Sequence, residues 1–408
     1  MKRIKQIIFS DFFDTLTNGA LVLFAYWYIY DVTHNQNYIS LLGLISMLAT
    51  LFTFIGGYFS DRMNRIALLK IVVLIRILNT SFGLVIYLLM NNPILGVMMT
   101  VVINSVLNIV YSPLTESIVP SIVHDRDDLV TANSWVSITN QLASVLSAGL
   151  SAIFIFFGNV GAGLVLSLIL YSVSYFLIGR LNSTQAPEAN HEASSSLSIQ
   201  TSNFFEGIKI IRSNTLIAVI VPIALVTNFC FWTVWLLMPK LSIDIFSEFK
   251  YMYNAVDLAF TVGSILGAFL VNAKHSDTKI FTAKSFPYFL FLQGFMILLI
   301  GYFSLLQRGI FGVVLAWLGY GICNATGSIL YFSTVQLSVP NQHIGMVIGA
   351  ILTIFSVANP IAAIASAPLS HLAATPSIVL CLGLVMMIAA IPVFSKKVIS
   401  DLIKVDAD

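Results

Sequence analysis

Asp11, Asp14, Thr15 and Asn18 interrupt an otherwise apolar run near the start of the chain. Spacings of three, four and seven residues place all four on one face of a helix. An acid near the centre of a bilayer costs roughly 2.5–3.5 kcal/mol on insertion scales, so it needs a proton, a cation or a basic partner. The stripe turns apolar at Val22 and Ala25 and fills only the first half of the run. Such a face can bind a proton or a cation reversibly from a wet cavity. Two readings stand for Asp11: a coupling acid, or a helix cap in the headgroup region. The predicted proton-coupling residues are Asp14, Glu116 and Asp11.

Other polar residues fall into similar apolar runs. Arg76 is expected in an ion pair, because an unpaired buried guanidinium is costly. Its acid must come from another helix, with Glu116 or Asp14 as the choices. Asn104, Asn108, Tyr111 and Thr115 share one helical face, and Ser105, Ser112 and Glu116 lie about 90° round. Ser137, Asn140, Ser144, Ser147 and Ser151 form a small-residue side that permits close helix approach. Asn228, Trp232 and Trp235 share a face, as do Trp317, Tyr320, Asn324 and Tyr331. An interfacial aromatic belt explains Trp235 and Trp317 as well as a cavity wall does. The predicted substrate cavity is lined by Asn18, Asn108, Tyr111, Asn140, Asn228, Trp232, Asn324 and Tyr331. Asp257, one turn before Thr261, reads either as a helix cap or as a second intramembrane acid.

Of the 408 residues, 58% are hydrophobic and only 9% charged, against roughly 25% charged in soluble domains. Most of such a surface must face lipid. The net charge is +2, and there is no basic tract or base-stacking module, so no nucleic-acid partner is expected. Cys230, Cys323 and Cys381 all lie in apolar runs and read as core residues. Lys2, Arg3 and Lys5 precede a run that carries Asp11 and Asp14 and lacks a small-residue cleavage site. That run reads as a first transmembrane helix, not a cleaved signal. His191-Glu192 lacks the second His of a zinc helix, and no G-x-S-x-G elbow or phosphate loop is present. No enzyme activity, metal or cofactor is expected. The expected partners are a small-molecule substrate, protons and the lipid bilayer, with the chain acting as a monomer.

A span needs about 20 mostly apolar residues. Twelve fit: 7–30, 39–60, 68–90, 94–118, 133–157, 160–181, 214–238, 252–273, 285–306, 309–333, 343–368 and 374–395. Seventeen of the 20 Lys and Arg fall at the termini and at the even-to-odd loops with their helix ends; opposite them stand Lys240, Lys250 and Arg308. That asymmetry predicts both termini in the cytoplasm. Residues 182–203 are rich in Ser, Thr, Asn, Gln and Ala and read as a linker. Phe204 to Arg212 reads as a short amphipathic helix on the cytoplasmic surface. The predicted organisation is a bundle over 1–181, a linker with that helix over 182–213, and a second bundle with a short tail over 214–408.

Gly57-Tyr58-Phe59-Ser60-Asp61-Arg62-Met63-Asn64-Arg65 breaks an apolar run with Gly and then concentrates charge. By itself it reads as a tight turn with topology-setting arginines. Its spacing resembles the G-x-x-x-D-R-x-G-R-[RK] loop between helices 2 and 3 of the major facilitator superfamily, with Asn64 and Ile66 as departures. Ser112-Pro113, Ile118 to Val123, Leu129 to Ser134, Glu206-Gly207, Ile211-Arg212, Gln336 with Val339-Pro340, Gly345 to Val347 and Ala358-Asn359-Pro360 resemble the drug exporter branch that includes macrolide and enterobactin exporters. The resemblance implies an all-α fold of twelve transmembrane helices in two six-helix bundles, working by alternating access. It implies a cytoplasmic gate at Gly57, Asp61, Arg62 and Arg65, with Asp61 docking on the N-terminal end of span 11. It also implies proton-coupled efflux of amphipathic or cationic, drug-like small molecules across the inner cell membrane. Departures from that branch are Val73 in place of an acid before Arg76, no Arg in span 4, and Ser147 to Ala152 in place of G-P-x-x-G-G. Met346 likewise replaces an Arg. Export of a metallophore or other metabolite, nutrient import, and a sensor that has lost transport stay open as alternatives.

Overall fold

The computed structural model describes residues 2–52, 63–90, 92–122, 126–181, 197–272, 283–306, 309–340 and 343–407. Among them the secondary structure is helical and no strand occurs. In the first unit, Met1–Ser194, the helices are α1 (Lys2–Thr33), α2 (Gln36–Leu51), α3 (Arg65–Met90), α4 (Pro93–Ile122), α5 (Arg126–Phe157) and α6 (Val160–Gly179). In the second, Ser195–Asp408, they are α7 (Leu197–Ser213), α8 (Thr215–Ile245), α9 (Met252–Asn272), α10 (Phe286–Leu305), α11 (Ile310–Ser338), α12 (Ile344–Leu372), α13 (Thr375–Ala390) and α14 (Lys396–Ala407). Among the described residues, eleven helices are long and apolar enough to cross a membrane, and Gln36–Leu51 is a shorter apolar one. Residues 53–60 of the second predicted span lie outside the described residues.

Helix boundaries follow local side-chain chemistry. Asn159 accepts from the backbone N–H of Gly161 and Ala162 and starts α6; Asn214 does the same for Leu216 and Ile217 at the start of α8. Each thereby satisfies amide groups that have no partner within the helix. Gly158, at φ +59°, closes α5 in the left-handed region that a side chain would disfavour.

The two units repeat one pattern of neighbours. In the first, α1 packs on α5 and α6, α3 on α4 and α6, and α2 on α4. In the second, α8 packs on α12 and α13, α10 on α11 and α13, and α9 on α11. The contacts are made at small residues. A Cβ on Gly83 would lie 2.1 Å from Thr100 Oγ1, and one on Gly96 would lie 2.7 Å from the Gly83 carbonyl, so α3 and α4 meet there. A Cβ on Gly263 would lie 2.1 Å from the Leu318 carbonyl and one on Gly321 2.3 Å from that of Phe260, which joins α9 to α11 along their backbones.

Large apolar side chains such as Leu89 (81% exposed), Phe311 (78%) and Phe156 (72%) point outward. In a soluble protein such a surface would aggregate; across eleven apolar helices it suits hydrocarbon, and the chain is a multi-pass membrane protein. The short tail expected after span 12 is the amphipathic helix α14, which buries Val398 and Leu402 in the core of the second unit. The amphipathic helix expected from Phe204 begins earlier, at Leu197, and packs on α12.

Candidate functional site

Asp14 lies on α1, on the polar face it shares with Asp11, Thr15 and Asn18. Its carboxylate accepts from Arg76 Nη1 of α3, and each side chain is 1% exposed. Glu116, the other acid expected for Arg76, has a side chain outside the described residues. Arg76 Nη2 donates to Asn108 Oδ1 of α4 at 2.9 Å. Its guanidinium carbon lies 4.4 Å from the centroid of the Tyr111 ring, a cation–π contact. Tyr111 in turn donates its hydroxyl to Asp11 Oδ1 at 3.0 Å. Two acids of one helix, one base of a second, and an amide and a phenol of a third thus form one network.

A second tier lies behind it. Asn79, one turn along α3 from Arg76, donates to the Thr100 carbonyl at 2.9 Å and to Asn104 Oδ1 at 3.0 Å. Asn104 Nδ2 donates to the Tyr171 hydroxyl at 3.2 Å. Ser10 and Ser174 exchange hydroxyl and carbonyl hydrogen bonds between α1 and α6. These bonds tie together the helices that present Asp14 and Arg76. Asn79, Tyr171 and Ser174 were not singled out in the sequence. The period of polar residues in α3 and α6 could have pointed to them, since each follows a neighbour on one face.

The remaining predicted residues divide by environment. Asn108 is exposed, and Asn18, Asn140, Asn228, Trp232 and Asn324 are half-buried. The Oδ1 atom of Asn140 is buried without a hydrogen-bond partner. Tyr331 is 4% exposed and sits in the apolar core of the second unit, in ring contact with Phe286 of α10 and Phe355 of α12. Its placement is core packing rather than an open wall. Arg65, the last member of the predicted gate, is half-buried at the start of α3. Gly57, Asp61 and Arg62 lie outside the described residues.

Of the two readings given for Trp317, a lipid-facing belt and a cavity wall, the belt does not fit its burial. Trp317 is 0% exposed and lies in a ring cluster within the second unit. Trp235 is 5.6 Å from it, Phe260 6.2 Å and Tyr320 5.6 Å, centroid to centroid. Phe231 stacks on Tyr320 at 5.3 Å with the ring planes 1° apart. Helical spacing brings aromatic residues to one face but does not say whether lipid or protein covers it.

The geometry agrees with what comparison finds. The family described as Major Facilitator Superfamily matches residues 7–363. No curated protein matches the chain at a significant level. The structure of the nucleoside transporter NupG superposes with a TM-score of 0.75 at 14% identity, over 99% of this chain and 100% of that one. A POT family transporter in complex with 5-aminolevulinic acid gives a TM-score of 0.72 at 14% identity, over 97% and 96%. A D-xylose-proton symporter gives 0.65 at 14% identity, over 95% and 97%. At these identities the likeness is one of fold.

Proposed function

This chain belongs to the Major Facilitator Superfamily, and on that premise we propose that it exports amphipathic small molecules in exchange for protons taken up at Asp14. That it is a transporter of this kind follows from the family; cargo, direction and coupling are the proposal. The observation that carries it is the buried Asp14–Arg76 pair with Asp11 one turn away.

Two carboxylates and one guanidinium sum to a single negative charge when all are ionised, and one proton cancels it. Protonating Asp14 removes the charge that holds Arg76 Nη1. The guanidinium then keeps Asn108 and the face of Tyr111. Loss of the proton restores the pair. Opposite charges about 4 Å apart are worth about 4 kcal/mol at an effective dielectric near 20, enough for the protonation state to bias a conformational equilibrium. Asn108 stands at the exposed edge of the network, where cargo and proton can both influence Arg76.

The carboxamides of Asn79 and Asn104 bond inward to their own helices' neighbours. Asn228 and Trp232, one turn apart on α8 and both half-buried, add a polar and an aromatic group, a mixture that supports an amphipathic cargo. The Lys and Arg distribution supports cytoplasmic termini; the chain works as a monomer in the inner cell membrane. Asp61, Arg62 and Arg65 serve as the cytoplasmic latch. The bundles over 1–181 and 214–408 act as the moving halves.

The test is uptake of an amphipathic dye by proteoliposomes whose lumen is made acidic. With the cytoplasmic face outward, protons leave the lumen as dye enters. Accumulation above equilibrium should occur with the gradient and vanish when it is collapsed. Equal accumulation with and without the gradient refutes the reading.

A further inference from the structure

The second unit contains an intramembrane acid that the Asp14 network does not use. Asp257 lies on α9, half-buried. Asp257 takes part in neither the Arg76–Asp14 nor the Lys240–Asp244 ion pair, and no described residue hydrogen-bonds its carboxylate. An acid in an apolar span without a partner is costly to keep. Asn35, Asn159 and Asn214 show how this chain caps helices elsewhere, through side chains that immediately precede the helix; Asp257 sits five residues inside α9, past the amides a cap could reach.

Aromatic residues flank it along α9. Tyr253 and Phe260 stand four residues before and three after Asp257, on its face of the helix. The Trp235 indole of α8 lies 6.3 Å from Tyr253 and 5.9 Å from Phe260, centroid to centroid. Trp235 therefore spans the stretch of α9 that carries the carboxylate. Phe231 lies 5.6 Å from Phe260 and 5.9 Å from Trp235. Behind these rings Trp317 is fully buried, and its indole N–H has no hydrogen-bond partner. Trp235, Phe231 and Phe260 are only half-buried, so part of each ring remains open to a ligand. The platform is fixed, because α9 and α11 touch at Gly263 and Gly321.

We propose that Asp257 and the Trp235, Phe231 and Phe260 rings form a subsite for a lipophilic organic cation. The positive centre neutralises the carboxylate, the ring faces supply quadrupole attraction, and the apolar body of the ligand covers the half-buried rings. This subsite rests on the transport reading only in treating the cation as cargo; its test reads binding.

The probe is tritiated tetraphenylphosphonium, measured by equilibrium dialysis against the purified full-length protein in detergent, with neutral triphenylphosphine oxide as the uncharged competitor. The wild type should bind the cation saturably, and the competitor should displace it at least tenfold less well than unlabelled cation. Asp257→Asn should weaken binding tenfold or more, and Asp257→Glu should restore most of it. Trp235→Phe should stay within threefold of wild type, whereas Trp235→Leu should lose fivefold or more. The Trp235 pair keeps the proposal testable if Asp257→Asn fails to fold. The proposal is overturned by absent cation binding in the wild type, by wild-type affinity in Asp257→Asn, or by equal competition from the neutral compound. Saturable cation binding without gradient-driven uptake would sink the transport reading and leave this subsite standing.

Discussion

Asp14 of α1 and Arg76 of α3, 62 residues apart in the chain, form an ion pair whose two side chains are each 1% exposed. Neither charge could be kept alone at that depth, since breaking a buried pair by removing one partner costs about 3–5 kcal/mol. The pair also shares its guanidinium with Asn108 and Tyr111, so a change in the charge of Asp14 is felt on α4.

Coupling between the two residues is measurable in stability. Arg76→Leu and Asp14→Leu should each lower the melting temperature of the detergent-solubilised protein, by the loss expected for an orphaned buried charge. The double replacement should recover at least half of the loss. A double variant whose loss equals the sum of the two singles would show that the residues do not interact.

Tyr111 acts through two parts of one side chain. Tyr111→Phe removes the 3.0 Å hydrogen bond to Asp11 and keeps the ring beside Arg76, so it should cost about 1.5–3 kcal/mol, the range for a hydrogen bond to a charged group. Tyr111→Leu removes the cation–π contact as well and should cost about 1–2 kcal/mol more. Chemical denaturation of the pure protein compares them. Equal losses would mean that the ring contributes nothing beyond its volume.

Two glycines should respond in opposite ways. Gly321→Val puts a branched side chain where even a Cβ meets the Phe260 carbonyl at 2.3 Å. It should force α9 from α11 and give a protein that aggregates during size-exclusion chromatography. Gly349 lies within α12 with nothing within 4 Å of a Cβ, and Gly349→Ala should stabilise by about 0.5–1 kcal/mol through helix propensity. Similar monodispersity of Gly321→Val and wild type would contradict the close approach.

The latch proposed at Asp61 makes a kinetic prediction. Asp61→Asn should slow transport several-fold and leave the elution profile and melting temperature unchanged. Initial rates in proteoliposomes check this, and a wild-type rate would remove the latch.

Much of this architecture was legible because a bilayer imposes length on every span: the twelve apolar runs and the helices of the structure differ mainly at polar ends, such as α5, which begins at Arg126 rather than at residue 133. Cost arguments also worked for charge. An isolated guanidinium needed an acid, and Asp14 was one of two choices named. Rings were less legible. Trp317 and Trp235 occur at spacings that a lipid-facing belt and a protein interior share, and only packing shows that Phe231, Phe260 and Tyr320 enclose them. Polar residues were sorted too simply as well: Asn104 and Asn108 lie one turn apart on α4, yet one is 1% exposed and ties helices together while the other is exposed beside Arg76.

The central claim is that Asp14 carries the exchanged proton, and the most direct measurement is the lumenal pH of acid-loaded proteoliposomes, reported by trapped pyranine as cargo dye is added. The wild type should alkalinise the lumen on dye addition. Asp14→Asn should show no dye-evoked pH change while still exchanging labelled for unlabelled dye. A proton movement of wild-type size in Asp14→Asn would contradict the account.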